Sequence, residues 1–120
     1  RQRLDEGPVL IYASAPPETV KAIQARLGRA EAGEAVERAM ATIARALVER
    51  DGVRRLVVAG GETAGAVVSA LGVTGLRIGA QIDPGVPGTV TLDAPAIALA
   101  LKSGNFGGPD FFAKALAAMP

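Results

Sequence analysis

The chain has 120 residues, 49% hydrophobic and 21% charged, which allows one folded core and argues against disorder. With no cysteine and no histidine, disulfides, thiolate or imidazole metal sites, cysteine nucleophiles and His-dependent triads are excluded, so proton transfer falls to Asp, Glu, Lys, Tyr or water. Thirteen basic against twelve acidic residues, a net charge of +1 and 3% aromatics exclude a broad DNA- or membrane-binding field and a base-stacking platform, but not a local phosphate site.

The opening RQRLDEGPVL lacks both an initiator Met and the apolar core of a secretory leader, so the chain reads as a piece of a longer protein. No apolar run nears the roughly 20 residues of a membrane span. Together with the absence of cysteine, this fits a cytoplasmic protein. Pro8 to Ala15 (PVLIYASA) predicts a strand that runs into a loop. PPETVKAIQARLG then sets Val20, Ile23 and Leu27 on one helical face, with Pro17 near the start and Gly28 as the stop. A longer helix is predicted from Glu31 to Arg50, with Val36, Met40, Ile43 and Leu47 as its apolar stripe. Leu56 to Ala59 is short, Val-rich and bounded by glycine, the pattern of a strand buried on both faces. From Thr63 to Leu71, Ala64, Val67, Val68 and Leu71 return to helical spacing, and Gly72 ends the run. Strand, two helices, strand and helix in that order predict a parallel, right-handed crossover.

Beyond Gly72 the pattern changes. LRIGAQI and TVTL read as strands with DPGVPG as turn material between them, an arrangement that predicts antiparallel pairing. Ile97 to Leu101 reads as a buried strand and Lys102 to Gly108 as a loop. Pro109 to Met119 reads as a terminal helix whose Phe112, Ala115 and Leu116 face inward. The fold class that follows is α/β: one three-layer domain over residues 1–120, with a mixed, partly parallel sheet covered by helices. No internal repeat, low-complexity segment or linker interrupts it.

Two loops each join a buried strand to a helix: GGET (Gly60 to Thr63) and KSGNFGG (Lys102 to Gly108). If their strands are parallel neighbours, both loops lie at the carboxyl ends, where α/β sheets gather ligands. Glycines at 60 and 61 would let backbone N–H groups approach phosphate oxygens, the Thr63 hydroxyl would add a donor, and the helix dipole would favour an anion. Glu62 fits beside a phosphate only by holding Mg²⁺ through water or by capping the helix. The plainer alternative is a tight strand-to-helix turn. In the second loop Lys102 offers an ammonium, and Ser103, Gly104 and Asn105 offer polar groups at short range, whereas Phe106 reads as packing beneath the loop. The plainer alternative there is a glycine-rich connector. No P-loop motif is present, and no G-x-G-x-x-G follows a strand, which disfavours a dinucleotide-dependent reductase. Asp83 lies about where a ribose-binding acid would sit in a Rossmann unit, but in DPGVPG it reads first as a turn residue.

With AGGETAGAVVSALG, RIGAQIDPGVPGTV and LALKSGNFGGPDFF in this order and separation, the chain resembles the C-terminal nucleotide-binding domain of the four-carbon acid sugar kinases, from about Val9 to Leu116. The resemblance implies ATP- and Mg²⁺-dependent phosphorylation of the terminal hydroxyl of a four-carbon sugar acid such as threonate, erythronate or an oxo-tetronate. It also implies an acid-sugar site mainly on a separate N-terminal domain of the same protein. The implied ATP contacts fall on Gly60, Gly61, Glu62, Thr63 and Gly104, with Ser103 and Asn105 added from their neighbourhood. A further contact in the family comes from a Ser-containing segment upstream, which this sequence does not reach. Lys102 is a candidate cation for the transferring phosphate, and the base is expected on the N-terminal domain, so no catalytic residue is nominated here. Turnover by this chain alone would direct the search for a base to Glu62, Asp83, Asp93 and Asp110. The competing function is a non-catalytic module that senses a nucleotide or other anion through the same loops. Homo-oligomer formation is open.

Overall fold

The computed structural model describes residues 6–12, 17–103 and 106–119. Their contacts divide the chain into two units, Arg1–Val36 and Glu37–Pro120.

In the first unit, residues 8–12 run outside any strand, with Tyr12 70% exposed and Val9, Leu10 and Ile11 exposed beside it. The strand predicted from Pro8 is therefore not formed over those residues, and residues 13–16 of that prediction lie outside the described part. The composition favours a strand, but a strand exists only as one side of a hydrogen-bonded ladder, and the sheet does not include this segment. Among the described residues no strand precedes Arg55, so the parallel crossover predicted from the first half of the chain is not seen there. Helix α1 (Pro17–Leu27) has Pro17 and Glu18 in its first turn and Arg26 in its last, which suits the missing Pro N–H and the helix dipole. Its apolar face is left uncovered: no residue of α1 is buried.

Helix α2 (Arg29–Glu49) begins in the first unit and ends in the second. Its buried residues are Ala44 and Val48, not the predicted stripe, in which Val36 and Ile43 are exposed. The physical reason lies in the partner surface. Ala44 shares an apolar cluster with Val58, Ala64 and Val67, and Val48 shares another with Ile97 and Leu99, so these two positions turn toward the sheet and α3.

The second unit holds β1 (Arg55–Ala59), α3 (Gly61–Ala70), β2 (Leu76–Asp83), β3 (Val86–Thr91), β4 (Ala98–Lys102) and α4 (Phe111–Ala118). The strands form one sheet in the order β1-β4-β3-β2. β1 and β4 are parallel, with Arg55 opposite Ala98 and Ala59 opposite Lys102. The β4–β3 and β3–β2 pairs are antiparallel, so the predicted hairpin forms. Its turn is tighter than expected. Only Pro84 and Gly85 lie between the strands, and Gly85 takes φ 81°, the positive value that the third residue of a Pro-Gly type II turn requires. Pro87, inside β3, faces Gln81 at a register shift, where a missing ladder N–H is tolerated.

Alternate residues of β4 serve opposite faces. Ala98 and Ala100 pack with Phe111 and Ala115 of α4 and with Met119 just past its end, while Leu99 packs with Val48 and Ile97. Helices thus cover both faces, and the three-layer, mixed-sheet architecture predicted from the sequence is the one observed. One detail differs. Phe111 is the buried ring, at 1% exposure, and Phe112 is 40% exposed, because Phe111 shares the i, i+4 face with Ala115 and Phe112 does not.

Candidate functional site

β1 and β4 are adjacent and parallel, so their carboxyl ends emerge side by side and bring the two glycine loops together. The ladder runs one step past the strands: the Gly60 amide donates to the Lys102 carbonyl at 2.8 Å. Gly61 and Ser103 come next. A Cβ on Gly61 would stand 4.0 Å from Ser103 Oγ, so the first loop approaches the second with only glycine in between.

Gly60 is also the N-cap of α3, with φ 106° and ψ 125°, a conformation that side-chain-bearing residues rarely adopt. Its carbonyl accepts the first helical bond, from the Ala64 amide at 2.8 Å. The N–H groups of Gly61, Glu62 and Thr63 precede that bond, and the N-cap supplies no side-chain acceptor. Thr63 lies over the same turn, its Oγ1 3.5 Å from where a Gly60 Cβ would be, and Glu62 is exposed. The start of α3, with its N-terminal amides, the Thr63 hydroxyl and the positive end of the helix dipole, thus lies beside Ser103 at Gly61. Chemically, this arrangement accepts an anion with several oxygens.

Lys102, the last residue of β4, is engaged within the fold. Its Nζ donates to the Ser103 carbonyl at 3.2 Å and lies 5.9 Å from the centre of the Phe111 ring. Gly104 and Asn105 of the predicted site lie outside the described residues.

Asp83 ends β2, two strands away from β4, and it is buried. Its carboxylate accepts from Lys114 Nζ and from the Gly108 amide at 3.4 Å. The hydrogen bond to Lys114 holds the carboxyl below its ordinary pKa against the opposing effect of burial, and the Gly108 N–H adds to it. Both oxygens have protein partners, which agrees with a structural turn residue rather than a ribose ligand. Sequence reasoning missed Lys114 and Gly108, since they lie 31 and 25 residues from Asp83 and no local motif links them. Asp93 sits at the other end of the sheet, accepting from Thr74 Oγ1 at 2.6 Å, and Asp110 is the N-cap of α4.

A recess of about 320 Å³ also opens at that opposite end, between Val48, Arg54, Thr91 and Ile97. Its polar groups are occupied internally: Arg54 donates to the Val48 and Val53 carbonyls, and Thr91 Oγ1 accepts from the Ile97 amide at 2.9 Å. Among the described residues there is no cluster of three or more acidic ligands for a metal, and no helix is long and apolar enough to cross a membrane.

The model of the nucleotide-binding C-terminal domain family matches residues 1–112. A 3-oxo-tetronate kinase of Cupriavidus necator is 69% identical over 109 residues, 91% of this chain and 25% of that protein. The chain thus spans about a quarter of the length of the curated relatives it matches. A crystal structure of a Haemophilus influenzae protein superposes with a TM-score of 0.79 at 47% identity, covering 89% of this chain and 26% of that one. A Bordetella bronchiseptica domain, solved as a domain-swapped dimer with bound citrate, gives a TM-score of 0.61 at 30% identity over 67% of this chain and 21% of that one.

Proposed function

Since the chain belongs to the nucleotide-binding C-terminal domain family, we propose that it is the ATP-binding part of a two-domain kinase that phosphorylates the terminal hydroxyl of a four-carbon sugar acid. The observation that carries this reading is the pairing of Gly60–Thr63 with Ser103 at the carboxyl ends of two adjacent parallel strands, beneath the N-terminus of α3. The name of the Cupriavidus relative supports an oxo-tetronate as the acceptor class. Its greater length supports an N-terminal domain that carries the acceptor pocket. The proposed setting is the cytoplasm, with the Bordetella dimer as the precedent for self-association.

In this reading the amides of Gly61, Glu62 and Thr63 hold phosphate oxygens, and the absent side chains at 60 and 61 let those oxygens reach the backbone. The Thr63 and Ser103 hydroxyls orient the same oxygens from two sides. Gly104 and Asn105 are the further nucleotide contacts proposed from the second loop. Among the residues present, exposed Glu62 would hold Mg²⁺ through water beside a bound phosphate. When bound, Mg²⁺ neutralises charge on the transferring phosphoryl group. Fixed N–H donors do the same work without reorganising during transfer. Lys102 would add a cation only after leaving Phe111 and the Ser103 carbonyl. The acceptor hydroxyl and its base come from the N-terminal domain, so the domains must meet for transfer.

The test is to supply the intact protein with ATP, Mg²⁺ and a panel of four-carbon sugar acids that includes 3-oxo-tetronates. ADP formation that depends on one of these acids is the expected result. ATP binding without turnover on any acid would favour the sensing module instead, and tight NAD binding without ATP binding would revive the reductase.

A further inference from the structure

The glycine loop that follows β4 is held at both ends. At its start, the Lys102 carbonyl accepts from the Gly60 amide at 2.8 Å, which fixes it to the first loop. At its end, the Gly108 amide donates to Asp83 Oδ2 at 3.4 Å, and the other oxygen of that carboxylate takes Lys114 of α4. Asp83 is buried and sits at the junction of the β2–β3 hairpin, the loop's exit and the helix that follows. Two aromatic contacts reinforce the junction. The Phe106 ring lies against Gly85 so closely that a Cβ there would stand 2.7 Å from it, and a Cβ on Gly107, at φ 84°, would stand 2.8 Å from the buried Phe111 ring.

The geometry points to Asp83 as a positioning residue: by tying Gly108 and Lys114 together it anchors the exit of the second glycine loop at Gly108, and nucleotide affinity depends on that anchor. This rests on the kinase reading above. Both carboxylate oxygens have protein partners, so its effect passes through the loop. A loop fixed at one end only would have to be ordered by the nucleotide at each binding event, and that ordering cost weakens affinity. The acceptor, held by another domain, would be untouched.

Asp83→Asn in the intact protein tests this, because it keeps the shape but turns one acceptor into a donor that faces a donor. The expected result is a rise in the KM for ATP of about fivefold, the size of one loop-ordering cost, with the KM for the sugar acid unchanged. Adding Lys114→Met to Asp83→Asn should raise the ATP KM no further, since both act through one carboxylate. If Asp83→Asn folds poorly, Phe106→Ala loosens the same junction from an exposed side chain and should shift the ATP KM alone, in the same direction. Exchange of the Gly108 amide, read without nucleotide, should speed up in Asp83→Asn. An unchanged ATP KM in either folded variant overturns the proposal, as does a parallel rise in both KM values or unchanged exchange at Gly108. A wild-type protein that never consumes ATP would instead sink the kinase reading, while the exchange measurement would still report on the tie.

Discussion

Thr63 is the residue at which binding and structure can be separated most cleanly. It sits half-buried in the first turn of α3, and the N-cap before it is a glycine without a side chain. Thr63→Val keeps the shape and removes the hydroxyl. A hydrogen bond to a charged group contributes about 1.5 to 3 kcal/mol, so ATP affinity of the intact protein should fall at least about tenfold. Titration calorimetry showing an unchanged dissociation constant would reduce Thr63 to a turn residue. Asp83 makes a different prediction, one of pH. Its carboxyl is held below the ordinary value by Lys114, and Lys114 is held above its own by Asp83, with a smaller push from Asp110. A lowered carboxyl pKa contributes stability above the unfolded-state value and loses it as pH falls through the folded one; a raised lysine pKa does the reverse at high pH. The gap in urea midpoint between wild type and Asp83→Asn should therefore be full between roughly pH 5 and pH 9 and begin to narrow below about pH 4. A gap no narrower at about pH 3 than at about pH 7 would mean the charge is not what matters. The glycine pair was legible in the sequence because its function is local, a strand handing over to a helix. The Asp83 tie was not, because its partners come from a loop and a helix that only the folded sheet brings near.

Among the elements, those that organise themselves were legible and those that depend on a neighbour were less so. Pro84 and Gly85 mark their turn whatever surrounds them, and the β2–β3 hairpin follows. Residues 8–12 have strand composition but no ladder partner, and composition alone does not make a strand. In α2 the helical period was clear, yet the buried positions were set by where β1 and α3 leave room, which brought Ala44 inward in place of Ile43. In α4 the two adjacent phenylalanines are indistinguishable by type, and only the sheet decides between them. That choice has a measurable consequence. Phe111→Ala should destabilise by about 3 to 5 kcal/mol, the usual range for emptying a buried aromatic site. Phe112→Ala, at an exposed position, should stay within roughly 0.5 kcal/mol. Denaturant midpoints would reveal the difference, and equal losses would contradict the burial assigned here.

At the scale of the molecule, composition had already removed His, Cys and metal-thiolate chemistry, and the order of three glycine-bearing segments pointed to the family that the match over residues 1–112 bears out. The division of labour between domains is where the account is most exposed. Residues 1–120 should melt cooperatively, since three apolar clusters connect the sheet to helices on both faces. Given ATP, Mg²⁺ and sugar acids, the same residues alone should form no sugar-acid phosphate, because transfer needs donor and acceptor held about 3 to 3.5 Å apart and the acceptor pocket is proposed for the other domain. Turnover by the isolated chain would place the acceptor site and its base within these residues and undo that division. The most direct test of the central claim is a crystal structure of the intact protein with a non-hydrolysable ATP analogue. The account predicts phosphate oxygens within hydrogen-bonding distance of the Gly61, Glu62 and Thr63 amides, with Ser103 alongside. A nucleotide seated elsewhere, for instance in the recess beside Arg54 at the opposite end of the sheet, would contradict it.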